Sequence, residues 1–390
     1  MSSPRQSPIY LDHNATTPVA REVLEAMTPH LRGEFGNPSS AHSYGRAARR
    51  AVDTARRHVA ETIGASPSEI LFTSGGTESN NLAILGGCGD DGSGRQVVTS
   101  VIEHPSVTQP VRLLGQQGWD VVSVGVGRQG RIDVDEAVEA IDESTKLVTI
   151  MHSNNETGVI QPLEPVVEAA REVGALVHTD AAQSIGKIDI DVRQLDVDLL
   201  TIAGHKVYAP KGVGALYVKK GVELTPVLRG AGHEQGLRPG TENVASIVGL
   251  GEACRQAQIQ GQRQRRDVEK LRDLLWERLR DEIPGVEVNG HPQKRLPNTL
   301  NVVFPGVEAV QLLAFAPQIA ASTGSACKEG GAAASPVLKA MGLSEERALG
   351  SLRLALGCGN DAEQIEEAAT LLGDAWRECV DDPDQPVVTG

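Results

Sequence analysis

Between residues 70 and 218 the chain repeats one unit: a short apolar run, a turn rich in glycine, serine or asparagine, then apolar positions at helical spacing. The runs are Ile70-Leu71-Phe72-Thr73, Val97-Val98-Thr99-Ser100, Lys146-Leu147-Val148-Thr149-Ile150-Met151, Ala175-Leu176-Val177-His178-Thr179, Val197-Asp198-Leu199-Leu200-Thr201-Ile202 and Val213-Gly214-Ala215-Leu216-Tyr217-Val218. Short apolar runs without alternation, bounded by breakers, predict buried strands. Strand and helix in turn predict an α/β fold, a mostly parallel sheet flanked by helices on both faces. Functional residues of such a sheet gather at the carboxyl ends of its strands.

Outside this repeat the pattern changes. Residues 1–8 are polar and read as a frayed terminus. Ile9-Tyr10-Leu11-Asp12 is strand-like and leads into His13-Asn14-Ala15-Thr16-Thr17-Pro18, where Thr17 reads as an N-cap and Pro18 as the first helical position. Val52, Ala55, Val59 and Ile63 recur at helical spacing and predict a long amphipathic helix over residues 39–63. Residues 241–280 predict a long helix broken by Gln- and Arg-rich turns and ended by Pro284-Gly285. Beyond it, Val286-Glu287-Val288, Thr299-Leu300-Asn301-Val302-Val303 and Ser351-Leu352-Arg353-Leu354-Ala355 are strands among helices. A chain of 390 residues exceeds one comfortable core. The expected division is a large domain over residues 16–260 and a smaller α+β domain of residues 1–15 with 261–390, meeting near Gly261.

Composition excludes several classes of function. Aromatic residues make up 3% of the chain, too few for a single-strand stacking platform, and a net charge of −14 disfavours a nucleic-acid backbone as partner. No charged-then-apolar leader opens the chain, and no apolar run nears the roughly 18 residues needed to cross a membrane. A cytoplasmic protein is expected. The five cysteines, Cys88, Cys254, Cys327, Cys358 and Cys379, show neither a disulfide framework nor a zinc pattern, so no metal site is expected and a reducing compartment fits.

Candidate chemistry sits behind the predicted strands. Lys206 stands just past residues 197–202, beside His205 and before the turn Ala209-Pro210-Lys211-Gly212. A lone lysine there is ordinarily a salt-bridge partner or a snorkelling group. Asp180, at the end of the preceding strand, and Gln183 just after it change that reading. A carboxylate at one strand end and an amine at another suit a pyridine-ring aldehyde cofactor: the lysine forms the Schiff base and the aspartate keeps the ring nitrogen protonated. Ser74-Gly75-Gly76-Thr77 opens a helix whose free N–H groups, with the Thr77 hydroxyl, are donors for a phosphate. By itself it is an ordinary strand–glycine–helix junction. Gly125-Val126-Gly127-Arg128-Gln129-Gly130 matches the dinucleotide fingerprint letter for letter. Arg131-Ile132-Asp133 separates it from the next helix, so it reads as a surface turn. Arg353, a lone cation in an apolar strand, requires a carboxylate, either in a structural ion pair or on a substrate.

Asp180-Ala181-Ala182-Gln183, Gly204-His205-Lys206 and Ser325-Ala326-Cys327 together resemble the pyridoxal-phosphate-dependent cysteine desulfurases, the NifS/IscS-like group of the class-V aminotransferase superfamily with a long loop after the catalytic cysteine. The resemblance spans nearly the whole chain, from Ile9 to Leu372. It implies the transferase fold type I with pyridoxal 5′-phosphate as cofactor. The phosphate would be held by Gly76, Thr77, His205 and, across a homodimer interface, by Thr241 given to the partner's site. Asp180 would hold the ring nitrogen, Gln183 and Asn155 the ring hydroxyl, and His104 would stack on the ring and transfer protons. Asn155 and Arg353 would grip the carboxylate of the substrate, L-cysteine.

The resemblance further implies that Lys206 takes the α-proton and Cys327 attacks the substrate sulfur, leaving L-alanine and a Cys327 persulfide for an acceptor protein. An iron–sulfur scaffold and a tRNA-thiolating enzyme are both possible acceptors. Selenocysteine lyase and aminotransferase activity are alternatives on the same fold, and a non-catalytic assembly partner is a third. Residues 320–334 contain almost nothing that can bury itself, so Cys327 is expected exposed on a mobile tether, with a helix restarting at Ser335-Pro336. The other cysteines read as inert small hydrophobes. One departure stands out: the family usually has serine three residues before the lysine, where this chain has Ala203. Weaker cofactor retention is expected unless Thr201 or water substitutes. The acidic tail after Leu372 is short, which puts acceptor docking through a longer tail in doubt.

Overall fold

The computed structural model describes residues 7–89, 94–323, 327–328 and 331–381, with 327–328 and 331–332 as backbone only. Seven strands build the central sheet: β1 (Ile70–Thr73), β2 (Gln96–Ser100), β3 (Asp120–Val124), β4 (Thr145–Thr149), β5 (Leu176–Asp180), β6 (Leu199–Ala203) and β7 (Gly214–Val218). Their spatial order is β1-β7-β6-β5-β4-β2-β3. All neighbours pair parallel except β7, which runs antiparallel to both β6 and β1. The expected α/β fold with a mostly parallel sheet is therefore present. One strand escaped the pattern: β3 lies at the sheet edge with exposed Asp120 and Ser123, so it lacks a continuous apolar run.

Helices cover both faces of this sheet. Gly76–Cys88 is buried along most of its length because its second half, Leu82 to Cys88, is apolar or small, while Thr77, Glu78 and Asn81 in its first half keep some exposure. Helix Ser43–Thr62 buries Val52, Ala55 and Val59 and crosses helix Val244–Glu282. The crossing is close because Gly251 has no side chain; a Cβ there would sit 2.5 Å from the Ala55 Cα.

Two sequence expectations are corrected. Thr17 does not cap a helix: its hydroxyl donates to the His205 carbonyl and accepts from the Tyr208 N–H at 2.9 Å, and the helix starts only at Arg21. Tertiary partners have taken the groups that a cap would use. Helix Val244–Glu282 runs unbroken for 39 residues through the Gln- and Arg-rich stretch expected to interrupt it. Gln256, Gln260 and Gln264 each bond a side chain four residues earlier along its surface, supporting the helix rather than breaking it.

That helix serves two apolar clusters. Ile247, Leu250, Ala253 and Ala257 join the core of the seven-stranded sheet, and Val268, Leu275 and Leu279 join a second cluster. The second cluster packs on an antiparallel sheet of β8 (Glu287–Val288), β9 (Thr299–Val303) and β10 (Ser351–Ala355), ordered β10-β9-β8. Distant parts of the chain meet here: Ile9–Tyr10 pairs parallel with Ile319–Ala320, and Asp12 bridges to Ala355.

The fingerprint-like turn is a turn, closed by a Val126–Ile132 bridge before Asp133 caps helix Val134–Glu139. In the cysteine segment, Cys327–Lys328 pairs antiparallel with Gly331–Ala332, and Ser335 caps helix Pro336–Ala340 as expected. Exposure of the Cys327 thiol, the setting of Ser325-Ala326, the fraying of residues 1–6 and the course of the tail 382–390 lie outside the described residues. Among the other cysteines, Cys88, Cys254 and Cys379 are buried, and burial pushes their thiols up to about 12, 12 and 11. Cys358 departs from expectation: it is exposed, on the turn after β10. Among the described residues, no helix is long and apolar enough to cross a membrane, and no cluster of side chains could hold a metal ion.

Candidate active site

Five parallel strands deliver side chains to one edge of the sheet. Thr77 follows β1, His104 follows β2, Asn155 follows β4, Asp180 ends β5, and Lys206 lies on a single tight turn after β6. With Gly76, Gln183, Ala203, His205 and Arg353 they line one cavity of about 450 Å³. Of the residues read from sequence, Thr241 is exposed and lies outside this cavity, and the Cys327 side chain is not among those described.

The helix beginning at Gly76 lines the cavity with its first residues, Gly76 and Thr77, whose N–H groups have no partners within the helix itself. Gly75, at φ +149° before it, has a conformation that L side chains rarely adopt. A Cβ added at Gly76 would come within 3.3 Å of the Ala203 Cβ, so the loop lies against the end of β6. Thr201, the suggested substitute for the missing serine, turns its hydroxyl to His178 Nε2 at 3.1 Å and does not line the cavity.

Asp180 is buried and held on both oxygens: Asn80 Nδ2 donates to Oδ2 at 2.8 Å and the Ala182 N–H to Oδ1 at 2.9 Å. His104 Nδ1 accepts the Ser106 N–H at 3.1 Å, so the neutral ring carries its proton on Nε2. Burial lowers the His104 pKa, aided by Lys206 and opposed by Asp180. His205 is pushed down to about 4 by burial and by the charges of Lys206 and Lys211. Lys206 Nζ donates to the Asn14 carbonyl and, at 2.9 Å, to that of Ala15. Burial, then the Arg353 charge, pushes its amine from 10.5 down to about 8, against Asp180 and Asp12.

Arg353 forms the structural ion pair and also lines the cavity. It pairs with Asp12 at 2.6 Å and donates to the Asn155 carbonyl at 3.0 Å, with its buried Nε lacking a hydrogen-bond partner. Sequence reasoning missed Asp12 in this pairing, as it missed Asn80, Asn14 and Lys187. Asn14 accepts from Lys187 and Asn298 and donates to Thr299 and Asn155, joining distant segments. Lys187, four residues beyond Gln183 in a largely apolar stretch, left the only local signal. Glu103 was also missed as an acid: it is buried beside His104 and pushed up to about 8, chiefly by burial.

This donor set fits pyridoxal phosphate: a buried amine, a fixed carboxylate, a helix N-terminus and a guanidinium line one chamber. The fold and site define a class-V aminotransferase, and the chain belongs to that family, whose model matches residues 9–367. Within it the chain belongs with the cysteine desulfurases, which are pyridoxal-phosphate enzymes. A relative from Methanosarcina thermophila named cysteine desulfurase IscS is 44% identical over 367 residues, 93% of this chain and 91% of its own. A solved NifS-like protein superposes with TM-score 0.88 at 36% identity, covering 95% of this chain and 100% of its own. The structure of SspA in complex with cysteine superposes with TM-score 0.78 at 39% identity, covering 89% and 98%.

Proposed function

We propose that this chain converts L-cysteine to L-alanine and carries the sulfur as a persulfide on Cys327. One observation supports this reading above the others: Lys206, Asp180, His104, Gln183 and Arg353 line a single cavity. Bound pyridoxal phosphate supplies an electron sink for negative charge at the substrate α-carbon. Gly76, Thr77 and His205 would hold its phosphate, Asp180 its ring nitrogen, and Gln183 and Asn155 its ring hydroxyl.

The chain's own groups perform the rest. Arg353, steadied by Asp12, would offer its guanidinium to the substrate carboxylate, with Asn155 alongside. Lys206, whose amine burial pushes down to about 8, removes the α-proton as general base. His104 faces its Nε2 proton to the cavity for proton transfer. The Cys327 thiolate attacks the substrate sulfur: an S–S bond forms, the Cβ–S bond breaks, and its electron pair stays with the carbon, which takes a proton to become alanine.

The finer parts of the reading concern assembly. A homodimer is supported by exposed apolar side chains, with Phe35 74%, Leu31 63% and Tyr44 54% accessible, and Thr241 would complete the partner's phosphate site. Residues 16–260 would form the cofactor domain, and 1–15 with 261–390 the small domain bearing the cysteine segment. The persulfide would pass to an acceptor protein in the cytoplasm, an iron–sulfur scaffold or a tRNA-thiolating enzyme, where the unpaired thiols of Cys88, Cys254 and Cys379 are in keeping.

The test measures alanine and sulfide from L-cysteine. Lys206→Ala is expected to abolish alanine formation, and Cys327→Ala to abolish persulfide and sulfide. Sulfide release at the native rate by Cys327→Ala would favour a selenocysteine lyase or an aminotransferase instead.

A further inference from the structure

Gln183 can hold a ring hydroxyl only if its amide presents the N–H end, and an amide has no intrinsic preference between its two ends. What decides the orientation is the neighbourhood. Lys187, four residues further along the chain, donates from Nζ to Gln183 Oε1 at 2.8 Å and to Asn14 Oδ1 at 2.8 Å. Gln183 Nε2 is thereby left on the far side, where it donates to the Asn14 carbonyl at 2.9 Å. A reversed Gln183 amide would set its oxygen against that carbonyl and its NH₂ against the lysine.

The Asn14 end is fixed by the same logic. Its Oδ1 also accepts from Asn298 Nδ2 at 3.0 Å, which turns its NH₂ to Thr299 Oγ1 at 2.9 Å. Its carbonyl is the shared acceptor for Gln183 Nε2 and Lys206 Nζ. Lys187 therefore stands behind the cavity wall, holding the side-chain amides of Gln183 and Asn14, while the Asn14 main-chain carbonyl meets Lys206. It does not line the cofactor cavity itself. Burial, with the charges of Lys206 and Arg353, drives its amine well below the ordinary lysine value. A neutral amine still has two N–H bonds, one for each of its two acceptors.

We propose that Lys187 is a positioning residue of the cofactor site: by donating to Gln183 Oε1 and Asn14 Oδ1 it locks the Gln183 amide with its donor end available to the cofactor's ring hydroxyl. The inference rests on the pyridoxal-phosphate reading above and gives a residue outside the cavity a role in cofactor binding. Because Lys187 acts through Gln183, the two residues must be energetically coupled, whereas a lysine that merely supports packing would contribute independently.

The experiment is a double-mutant cycle read by cofactor affinity. Wild type, Lys187→Met, Gln183→Leu and the double variant are stripped of cofactor and titrated with pyridoxal 5′-phosphate, following absorbance and thermal unfolding. Each single variant is expected to bind roughly ten-fold more weakly, and the double variant no more weakly than about the worse single. Both Lys187→Met and Gln183→Leu should also raise the pH midpoint of the bound cofactor's visible absorbance, because a donor to the ring hydroxyl is lost. Affinities that multiply in the double variant, or an unchanged Lys187→Met, overturn the proposal while leaving the cofactor reading standing. Absence of binding by wild type overturns both. Should Lys187→Met fail to fold, the shorter polar Lys187→Gln takes its place under the same requirement of non-additivity.

Discussion

Ala203 offers a direct measure of what one missing donor does to cofactor retention. It lies at the end of β6 and lines the cavity, and its Cβ would sit 3.3 Å from a Cβ added at Gly76, against the helix N-terminus expected to hold the phosphate. A serine hydroxyl at this position has the cavity before it. Thr201 shares the face of β6 with Ala203 but cannot substitute while its hydroxyl is bonded to His178 on the neighbouring strand β5. A hydrogen bond contributes roughly 0.5–1.5 kcal/mol between neutral groups and about 1.5–3 kcal/mol to a charged one. Ala203→Ser is therefore expected to tighten pyridoxal-phosphate binding by roughly ten-fold or more. The assay is equilibrium titration of the stripped protein, with the rate of cofactor loss through dialysis as a second readout. Equal affinity in the two proteins, or wild type that holds stoichiometric cofactor through extensive dialysis, would refute the reasoning.

Two further outcomes concern buried titratable groups. Glu103 titrates at about 8 when folded against 4.5 for an ordinary carboxyl, so between those values the folded state keeps a proton that the unfolded chain has lost. Stability is then full below pH 4.5 and falls as pH rises through 8, by roughly 4–5 kcal/mol at most. Glu103→Gln should flatten melting temperature across this range, and an equally steep decline in the variant would show that another group is responsible. Lys206, with its amine near 8, should condense with added pyridoxal phosphate faster as pH rises through that value. A rate that instead climbs through 10.5, the ordinary lysine value, would contradict the effect of burial and Arg353.

Local patterning carried much of this molecule. Apolar runs marked six of the seven strands, and the alternation with helices was enough to line up Thr77, His104, Asn155, Asp180 and Lys206 on one sheet edge. That inference works because these strands share one direction, so the residues just beyond their carboxyl ends all emerge on the same side of the sheet. The errors were equally physical. Thr17 had the chemistry of a cap, but its hydroxyl was claimed by residues 205 and 208. The Gln-rich stretch looked like a break, but its side chains bonded one another along a continuous helix.

What sequence alone determined is the order of elements, the buried strands and the candidate amine and carboxylate just behind them, because each depends on residues close together in the chain. Only the tertiary structure decided that Asp12 meets Arg353, that Asn14 joins Lys187 to Lys206, and that Glu234, within the glycine-rich stretch of residues 229–241, pairs with Arg56 at 2.6 Å. These contacts link residues from 173 to 341 positions apart. No local period encodes them; they exist because buried donors, acceptors and charges must find partners, and folding determines which partners are within reach.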